Sequence, residues 1–233
     1  LLRGPHHVVT SKTGEMAVII DGLSPVYEET LKLVVELPEV TSLTLRGTSK
    51  FTDEHIGTLA KLPRLRELSL QGKWVNRRVV EALPDLPKLV SLDLKQAMLD
   101  DGALGPLAAI KELRHLSLSE TRVADIGVKR LAELKNLESL DLSSTNVTSA
   151  GMPHFKLFQN LKDLNLSDTA LSDASLVELA AVPTLRTVNL AMTPVGDKGI
   201  EAFAPVAGPL MLNVNGSDAT LEGIAKLTKA NNR

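Results

Sequence analysis

Cysteine is absent from the 233-residue chain, which excludes disulfide bonds, thiolate catalysis and Cys-ligated zinc. Aromatic residues make up only 3%, so any core is built from aliphatic side chains. No apolar run approaches the roughly 20 residues of a membrane span. The net charge of −2 offers no general attraction for nucleic acid. This composition favours a soluble, cytoplasmic protein and leaves open a cell-envelope or secreted one that has lost its signal peptide.

What the chain has instead is a repeat with a period of 24 residues. The phrase Leu-x-x-Leu-x-Leu, with one internal Val, opens at Leu65, Leu89, Leu113, Leu137, Leu161 and Leu185. Less regular copies begin near Glu15, Val40 and Pro209, giving nine units. A fixed period of this length is typical of a solenoid, in which each unit buries its apolar face against its neighbours.

Each unit divides into a strand and a helical segment. Leucines alternate with polar residues at a period of two, as in Leu116 and Leu118, which predicts a strand with one buried face. Later apolar positions are three apart, as in Leu176 and Leu179, which predicts a short helix or 3₁₀ segment. The pattern therefore indicates an α/β solenoid.

Three further columns of residues recur between these elements. We interpret the first as helix caps, the second as buried hydroxyls that bond the backbone, and the third as small residues that allow close stacking. The helix-cap column is Asp53, Asp101, Asp125, Ser149, Asp173 and Asp197. The hydroxyl column is Thr48, Thr121, Thr145, Thr169 and Thr193. The small-residue column is Ala103, Gly127, Gly151, Ser175 and Gly199.

The ends differ from the middle units. Residues 7–10 and 16–21 flank Thr13-Gly14 and predict a hairpin over the first layer, while the last unit ends in a polar tail. We expect one domain over 1–233, with an N-terminal hairpin and capping unit (1–39), seven repeats (40–208) and a C-terminal capping repeat (209–233). Because the sequence begins at Leu1 rather than Met, we expect a fragment, a processed product or an engineered piece.

The unit that runs from Leu113 through Leu116, Leu118, Thr121, Val123, Asp125 and Gly127 to Leu131 resembles the leucine-rich repeat. It is similar to ribonuclease-inhibitor-like and F-box-associated repeats, and most similar to the Thr-containing repeats of bacterial proteins. The resemblance implies a right-handed horseshoe with a parallel sheet on its concave face and short helices on its convex face. It also implies a protein partner bound on the concave face. No F-box segment is present, which argues against a ubiquitin-ligase role.

Candidate catalytic and metal-binding residues are few. His115, Ser117, Ser139 and Asp141 contain the residue types of a nucleophile, a base and an orienting acid, but no shielded site or oxyanion hole accompanies them. Asp141, Asp163 and Asp168 lack a loop that could wrap a cation, so a solvated acidic patch is the better interpretation. We predict no enzyme activity, no catalytic residue, no metal and no cofactor.

The third unit departs from the pattern. Lys73 replaces the Thr of the hydroxyl column, Trp74 follows it, and Arg77 replaces the Asp of the capping column. Trp and Arg are enriched in binding hot spots, so we predict a rim site at the strand exits. The alternative is that Trp74 folds over its loop and shields Val75. The predicted partner-binding set is Arg46, Gln71, Lys73, Trp74, Arg77, Lys95, Gln96, His115 and Asp141.

The sequence thus predicts a monomeric, non-enzymatic recognition module with a protein partner and with no nucleic acid or membrane span. The rival interpretation is the recognition or regulatory domain of a larger enzyme or effector. A glycan-binding module is a third, disfavoured by the scarcity of aromatics.

Overall fold

The computed structural model describes residues 6–10, 15–21, 27–46, 52–206 and 209–231. They form one ten-stranded sheet whose strands follow the order of the chain. β1 and β2 are antiparallel, and every later neighbour from β2 to β10 is parallel. The strands are β1 His6–Thr10, β2 Met16–Asp21, β3 Val40–Arg46, β4 Glu67–Gln71, β5 Ser91–Asp93, β6 His115–Ser117, β7 Ser139–Asp141, β8 Asp163–Asn165, β9 Thr187–Asn189 and β10 Met211–Asn213.

Short helices connect the strands and pack side by side in a second layer. The α-helices are α1 Tyr27–Val34, α2 Asp53–Leu59, α3 Arg77–Ala82, α4 Asp125–Leu131, α5 Leu176–Ala180, α6 Asp197–Glu201 and α7 Leu221–Asn231. The 3₁₀ helices are Leu83–Asp85, Asp101–Ala103, Gly105–Ala109, Ser149–Leu157 and Asp173–Ser175. Parallel strands need a crossover, and these segments supply it on one face of the sheet. The predicted α/β solenoid is confirmed.

The core lies between the sheet and the helices. Strand register places the central apolar residue of each unit beside that of the next, in the row Val18, Leu43, Leu68, Leu92, Leu116, Leu140, Leu164, Val188 and Leu212. All but Leu212 in this row are buried. Each buried leucine therefore contacts equivalents from both neighbouring layers, and the solenoid has one continuous core.

The column of buried hydroxyls has the predicted role. Thr121 Oγ1 donates to the carbonyl of Leu118 at 2.7 Å, and Thr145 Oγ1 donates to Leu142 at 2.6 Å. Thr169 and Thr193 repeat this bond. Each hydroxyl satisfies a carbonyl in the turn that leaves the strand, where the backbone has no ladder partner. Thr48, the first member of the predicted column, lies outside the described residues.

The Asp column does not cap its own helices, so the capping prediction was wrong. Asp101, Asp125, Asp173 and Asp197 each occupy the first residue of a helical segment, and none accepts a bond from its own helix. Their carboxylates instead accept the backbone N–H of the residue that precedes the next unit's helix, at 2.7 to 2.8 Å. Ser149 does the same through Oγ, which accepts from the N–H of Ser172 at 2.9 Å. From Asp101 to Asp197 the column is an acceptor ladder between repeats, whereas Asp53 accepts no such bond among the described residues.

The small residues of the third column make room for this ladder. A Cβ added at Gly151 would lie 2.6 Å from Oδ1 of Asp125, in the preceding unit. Serine occupies the column at Ser175, where the preceding unit contributes Ser149 instead of Asp. The glycine is therefore required by the carboxylate of the unit before it.

The two ends of the sheet are finished differently. β1 covers the edge of β2 over the full length of the pairing, from His6 opposite Ile20 to Thr10 opposite Met16. At the other end, Leu212 and Val214 are only half-buried although α7 packs beside them, and Met211 is 70% exposed. The C-terminal layer is thus more exposed to solvent than the internal layers of the described chain.

Candidate functional site

The predicted partner-binding residues fall on the end of the sheet where the strands finish. Arg46 and Gln71 are direct register partners at the last positions of β3 and β4, and Lys95 and Gln96 follow β5. We call this edge the strand-exit rim and define it as Arg46, Gln71 to Trp74, Lys95, Gln96 and Glu120. Most of the predicted site is therefore contiguous in the structure.

A hydrogen-bonded group anchors the rim on the open face of the sheet. Gln71 Nε2 donates to Asp93 Oδ2 at 2.6 Å and to Ser69 Oγ at 3.1 Å, and Ser69 Oγ donates to the same Asp93 oxygen at 3.0 Å. The second oxygen of Asp93 accepts the backbone N–H of Lys95 at 3.0 Å. All of these side chains are half-buried. Their positions are therefore fixed before any partner arrives.

Glu120 joins the rim to the next repeat and was missed by the sequence analysis. Its carboxylate accepts from Lys95 Nζ at 2.9 Å and from Gln96 Nε2 at 2.7 Å. The hydrogen bonds from Gln96 and Lys95 lower the pKa of Glu120. The hydrogen bond and charge of Glu120 in turn raise the pKa of Lys95. Gln96 and Glu120 are exposed and Lys95 is half-buried, so the cluster orients charge at the surface more than it stabilises the fold.

In every internal repeat from the fourth onward, one residue in the loop that follows the strand adopts the left-handed conformation. Gln96, Glu120, Ser144, Asp168 and Met192 have φ between 53° and 60°. The N–H of each donates to a carbonyl of the next unit, as Gln96 does to Ser119 and Glu120 to Ser143, both at 2.9 Å. A left-handed residue other than Gly costs roughly 1–2 kcal/mol. The stacked hydrogen bonds hold this conformation and point five different side chains outward along one line.

Trp74 folds back over its own loop. Its Nε1 donates to the carbonyl of Gln71 at 2.8 Å, and a Cβ added at Gly72 would lie 3.2 Å from the indole Cδ1. The ring is half-buried against the core, next to the fully buried Val75. This geometry agrees with the alternative interpretation of Trp74 as a loop-packing residue. Lys73, its neighbour, is exposed and forms no ion pair with any residue that the structure describes.

Arg77 lies apart from the rim. It is the first residue of α3, where its Nε donates to Glu81 Oε1 at 2.7 Å along the exposed face of the helix. Asn76 provides the cap that the sequence analysis did not find, because its side chain accepts from the N–H of Arg78 at 2.9 Å. The third unit therefore keeps a helix cap although it lacks the Asp of the acceptor ladder. An Asn immediately before a helix start, as at Asn76, is the sequence signal that indicates this cap.

His115 and Asp141 lie further along the open face, at the start of β6 and the end of β7. Asp141 Oδ1 accepts from the backbone N–H of Ser143 at 2.9 Å and from its Oγ at 2.7 Å. No hydrogen bond joins His115 to Ser117, Ser139 or Asp141 in the described structure. The arrangement therefore lacks the nucleophile–base contact that triad chemistry requires.

Asp141 belongs to a column with a structural role that the sequence analysis overlooked. At the last residue of a strand, an Asp or Asn oxygen accepts the N–H two residues later, at 2.9 to 3.1 Å; the members are Asp93, Asp141, Asn165, Asn189 and Asn213. This local bond turns the chain out of the sheet. The frequency of Asp and Asn in this column, which Ser117 interrupts, was the signal, since these short acceptors favour such turns.

Two further features bear on function. The described residues hold no group of three or more His, Asp or Glu side chains arranged to bind a metal ion. Asp168, one of the acids considered for a cation, accepts from Ser144 Oγ at 2.9 Å instead. Within the described ranges, no helix is both long enough and apolar enough to cross a bilayer.

Comparisons with known proteins agree with this architecture. The family model described as "Leucine Rich repeat" matches residues 133–152, 159–180 and 183–204. No curated protein sequence matches the chain. Internalin C2 from Listeria monocytogenes is similar in structure, with 23% identity, a TM-score of 0.54, and coverage of 76% of this chain and 70% of the internalin. The mouse RP105/MD-1 complex contains a chain with 18% identity and a TM-score of 0.52 over 85% of this chain.

This chain spans 42% of that mouse protein, and at such identities the likeness concerns the fold alone. The repeat period, the parallel sheet that it builds and the family model nevertheless agree over the same units. The leucine-rich-repeat model thus matches three units of the chain, and the chain has the fold of a leucine-rich-repeat solenoid.

Proposed function

We propose that this chain is a non-enzymatic recognition module that binds a protein partner through the concave face of its sheet and the strand-exit rim of its second to fourth repeats. The observation that carries the proposal is the rim itself, where polar groups are held in place by one another rather than by the core. Leucine-rich-repeat proteins commonly serve as scaffolds for protein interaction, and one of the similar solved chains belongs to the mouse RP105/MD-1 complex.

Preorganisation supports binding at this place. The Ser69, Gln71 and Asp93 group is half-buried and internally bonded, so a partner does not have to order it. Ordering a long side chain at an interface costs about 0.5 to 1.5 kcal/mol, and that cost is largely absent here. Trp74 contributes by holding the loop that presents Lys73.

Charge supports a partner with carboxylates opposite the rim. Among the described residues, neither Arg46 nor Lys73 takes part in an ion pair, and both are exposed. Lys95 is partly compensated by Glu120. Two uncompensated cations beside a fixed polar network favour association with an acidic surface, mainly through the rate of encounter.

The test compares capture of partners by three forms of the chain. Arg46→Glu combined with Lys73→Glu reverses two charges on the rim, and Lys129→Glu combined with Arg130→Glu reverses two on the exposed side of α4. We expect to capture a protein that binds the wild type and the α4 variant with similar affinity. The rim variant is expected to bind the same protein with a Kd at least about tenfold higher. Equal affinity of all three forms for every captured protein would refute the rim as the site.

Trp74→Ala and Arg77→Ala refine the assignment once a partner is known. A hot-spot role for both residues predicts that each substitution weakens binding by more than about 1 kcal/mol. The geometry predicts a different pattern: Trp74→Ala lowers thermal stability as well as affinity, while Arg77→Ala leaves both unchanged because its side chain pairs with Glu81 on the helix. A thermal melt alongside each titration separates the two predictions.

A further inference from the structure

We propose that the opposite edge of the sheet, where the strands begin, is a second binding surface that takes an acidic peptide segment of a protein. We call this edge the strand-start rim. It consists of the six segments 63–67, 87–91, 111–115, 135–139, 159–163 and 183–187. No role is assigned to it by the family likeness or by the function proposed above.

The segments form one continuous edge. The N–H of the second residue of each phrase donates to the carbonyl of its counterpart in the previous unit: Val90 to Arg66, Arg114 to Val90, Glu138 to Arg114, Lys162 to Glu138 and Arg186 to Lys162, all at 2.8 Å. Side chains in this column are therefore held about 4.8 Å apart, as in any sheet.

This edge is basic although the chain is not. The six segments contain eight Lys or Arg residues and four Asp or Glu residues, a balance of +4. The whole chain carries −2, so that all the other residues together carry −6. This concentration of positive charge in one edge favours association of an acidic partner with it.

Two cations near the N-terminal end of the rim, Arg64 and Lys88, have no acidic partner among the described residues. Glu138 accepts hydrogen bonds from both Arg114 and Lys162, which neutralises the middle of the edge. Toward the N-terminus, the one hydrogen bond of Lys88 Nζ within the described ranges goes to the carbonyl of Pro63, at 3.3 Å. Arg64 forms no hydrogen bond or ion pair with any residue that the structure describes. These two cations are available to a ligand.

A cleft of about 600 Å³ opens at the same place. Arg64, Arg66 and Lys88 line it, together with the carboxylates Glu15, Glu67 and Glu112. Arg66 reaches over the apolar position of the intervening unit, Val90, to meet Glu112 at 3.5 Å. That ion pair is long and more than half exposed at both ends, so it stabilises the fold very little. A carboxylate from a ligand can replace Glu112 on Arg66 at little cost.

An acidic peptide fits this edge better than a polyphosphate. Glu67, Glu112 and Glu138 interrupt the row of cations, which penalises a continuous phosphate backbone but not a peptide with spaced carboxylates. The described part of the rim carries no Trp, Tyr or Phe on which a base could stack. The occupant is therefore a carboxylate-bearing segment of a protein, with one acidic side chain seated between Arg64, Arg66 and Lys88.

The test uses a fluorescein-labelled hexaglutamate peptide with blocked ends, titrated by fluorescence anisotropy. Arg64→Glu combined with Arg66→Glu is expected to weaken binding at least tenfold at about 20 mM salt. The matched control is Lys129→Glu combined with Arg130→Glu on α4, which changes net charge equally and is expected to alter Kd by less than about twofold. Circular dichroism confirms that each variant is folded.

Glu112→Gln tests the same site with a change that is expected to strengthen binding. It removes the residue that competes for Arg66 and is expected to tighten hexaglutamate binding about twofold to fivefold. The proposal is overturned if the wild type shows no salt-sensitive binding below about 1 mM, or if the rim and control variants bind alike. It is also overturned if a labelled oligothymidylate binds the same residues more tightly than hexaglutamate, since the rim would then be a polyphosphate site.

Discussion

Asp125 in one repeat holds Thr148 in the next by two hydrogen bonds. The Thr148 N–H donates to Oδ1 at 2.8 Å and the Thr148 hydroxyl donates to Oδ2 at 2.7 Å. The same hydroxyl accepts from the N–H of Ala150 at 3.2 Å, which caps the following helical segment. One carboxylate thus fixes the junction at which the next unit turns from loop to helix. Asp197 and Thr220 repeat the arrangement near the C-terminus.

Removing this carboxylate destabilises the solenoid. Asp125→Ala leaves a partly buried N–H of Thr148 without its acceptor, and the lost bonds are charge-assisted. We expect a decrease of about 1–3 kcal/mol in the free energy of unfolding, measured by urea denaturation. Glu133→Ala, which removes an exposed carboxylate after α4, serves as the control, and we expect its effect to stay within about 0.5 kcal/mol. Equal effects of the two substitutions would contradict the ladder.

Two glycines in helical segments respond to alanine with opposite signs. Alanine normally stabilises a helix by about 0.5 to 1 kcal/mol relative to glycine. Gly57 in α2 has no atom within 4 Å of an added Cβ, so Gly57→Ala is expected to raise stability by that amount. Gly151→Ala places its Cβ 2.6 Å from Asp125 Oδ1 and is expected to lower stability by about 1 to 3 kcal/mol.

A double substitution tests whether this clash is with the carboxylate. Asp125→Ser with Gly151→Ser copies the pair that the chain itself uses at Ser149 and Ser175. We expect the double variant to be more stable than the sum of the two single variants predicts, with a coupling of at least about 1 kcal/mol. If the effects of the two single substitutions on the free energy of unfolding simply add in urea melts, the two side chains do not interact.

Truncation of an internal leucine destabilises the stack more than truncation at the surface. Leu140 is 1% exposed between two neighbouring layers, so Leu140→Ala is expected to cost about 2 to 5 kcal/mol in denaturant melts. Val177 on α5 is 62% exposed, and Val177→Ala is expected to change stability by less than about 0.5 kcal/mol. A loss below about 0.5 kcal/mol for Leu140→Ala would contradict its burial.

Acid weakens the last junction of the ladder. The hydrogen bonds from the Thr220 backbone and hydroxyl hold the pKa of Asp197 below its usual range. A carboxylate with a lowered pKa in the folded state stabilises the fold above its unfolded pKa of about 3.9, and this contribution disappears as the pH falls through the lower, folded pKa. The stability difference between wild type and Asp197→Asn is therefore expected to be constant near neutral pH and to shrink below about pH 4. A difference that grows in acid would reverse this assignment.

The sequence predicted the layers well because burial recurs at one period. Leu116 and Leu118 had to face inward for a 24-residue unit to close, and no other arrangement buries them in every copy. The partner of Asp125 could not be predicted in the same way, because its donor is 23 residues away, in another unit. Proximity to a helix start suggested a local cap, which is the more frequent use of Asp at that place. The pairing of Ser149 with Ser175 was the signal that two units were in contact.

The candidate site shows a similar division. Gln71 and Lys95 were placed on the rim from strand alternation alone, and a hydrogen bond from the Gly72 N–H to the Lys95 carbonyl, at 2.9 Å, joins the two segments. Strand alternation does not identify the hydrogen-bond partners of a side chain. Glu120 was therefore missed as part of the rim, and Asp141 was interpreted as a solvated surface acid. Arg77 was misplaced because a residue at the start of a helix faces the outer layer, whereas the rim ends with the loop before it.

The pairing of each carboxylate with a glycine one unit later also restricts how such a chain can grow or be rearranged. Where this pairing occurs, a duplicated block fits at its new boundaries if an Asp there precedes a unit that carries Gly, or a Ser precedes one that carries Ser. Moving the unit of Ser175 behind that of Asp101 would bring a serine side chain against a carboxylate. The repeats look interchangeable in sequence, yet their order is constrained at the junctions between Asp101 and Gly223.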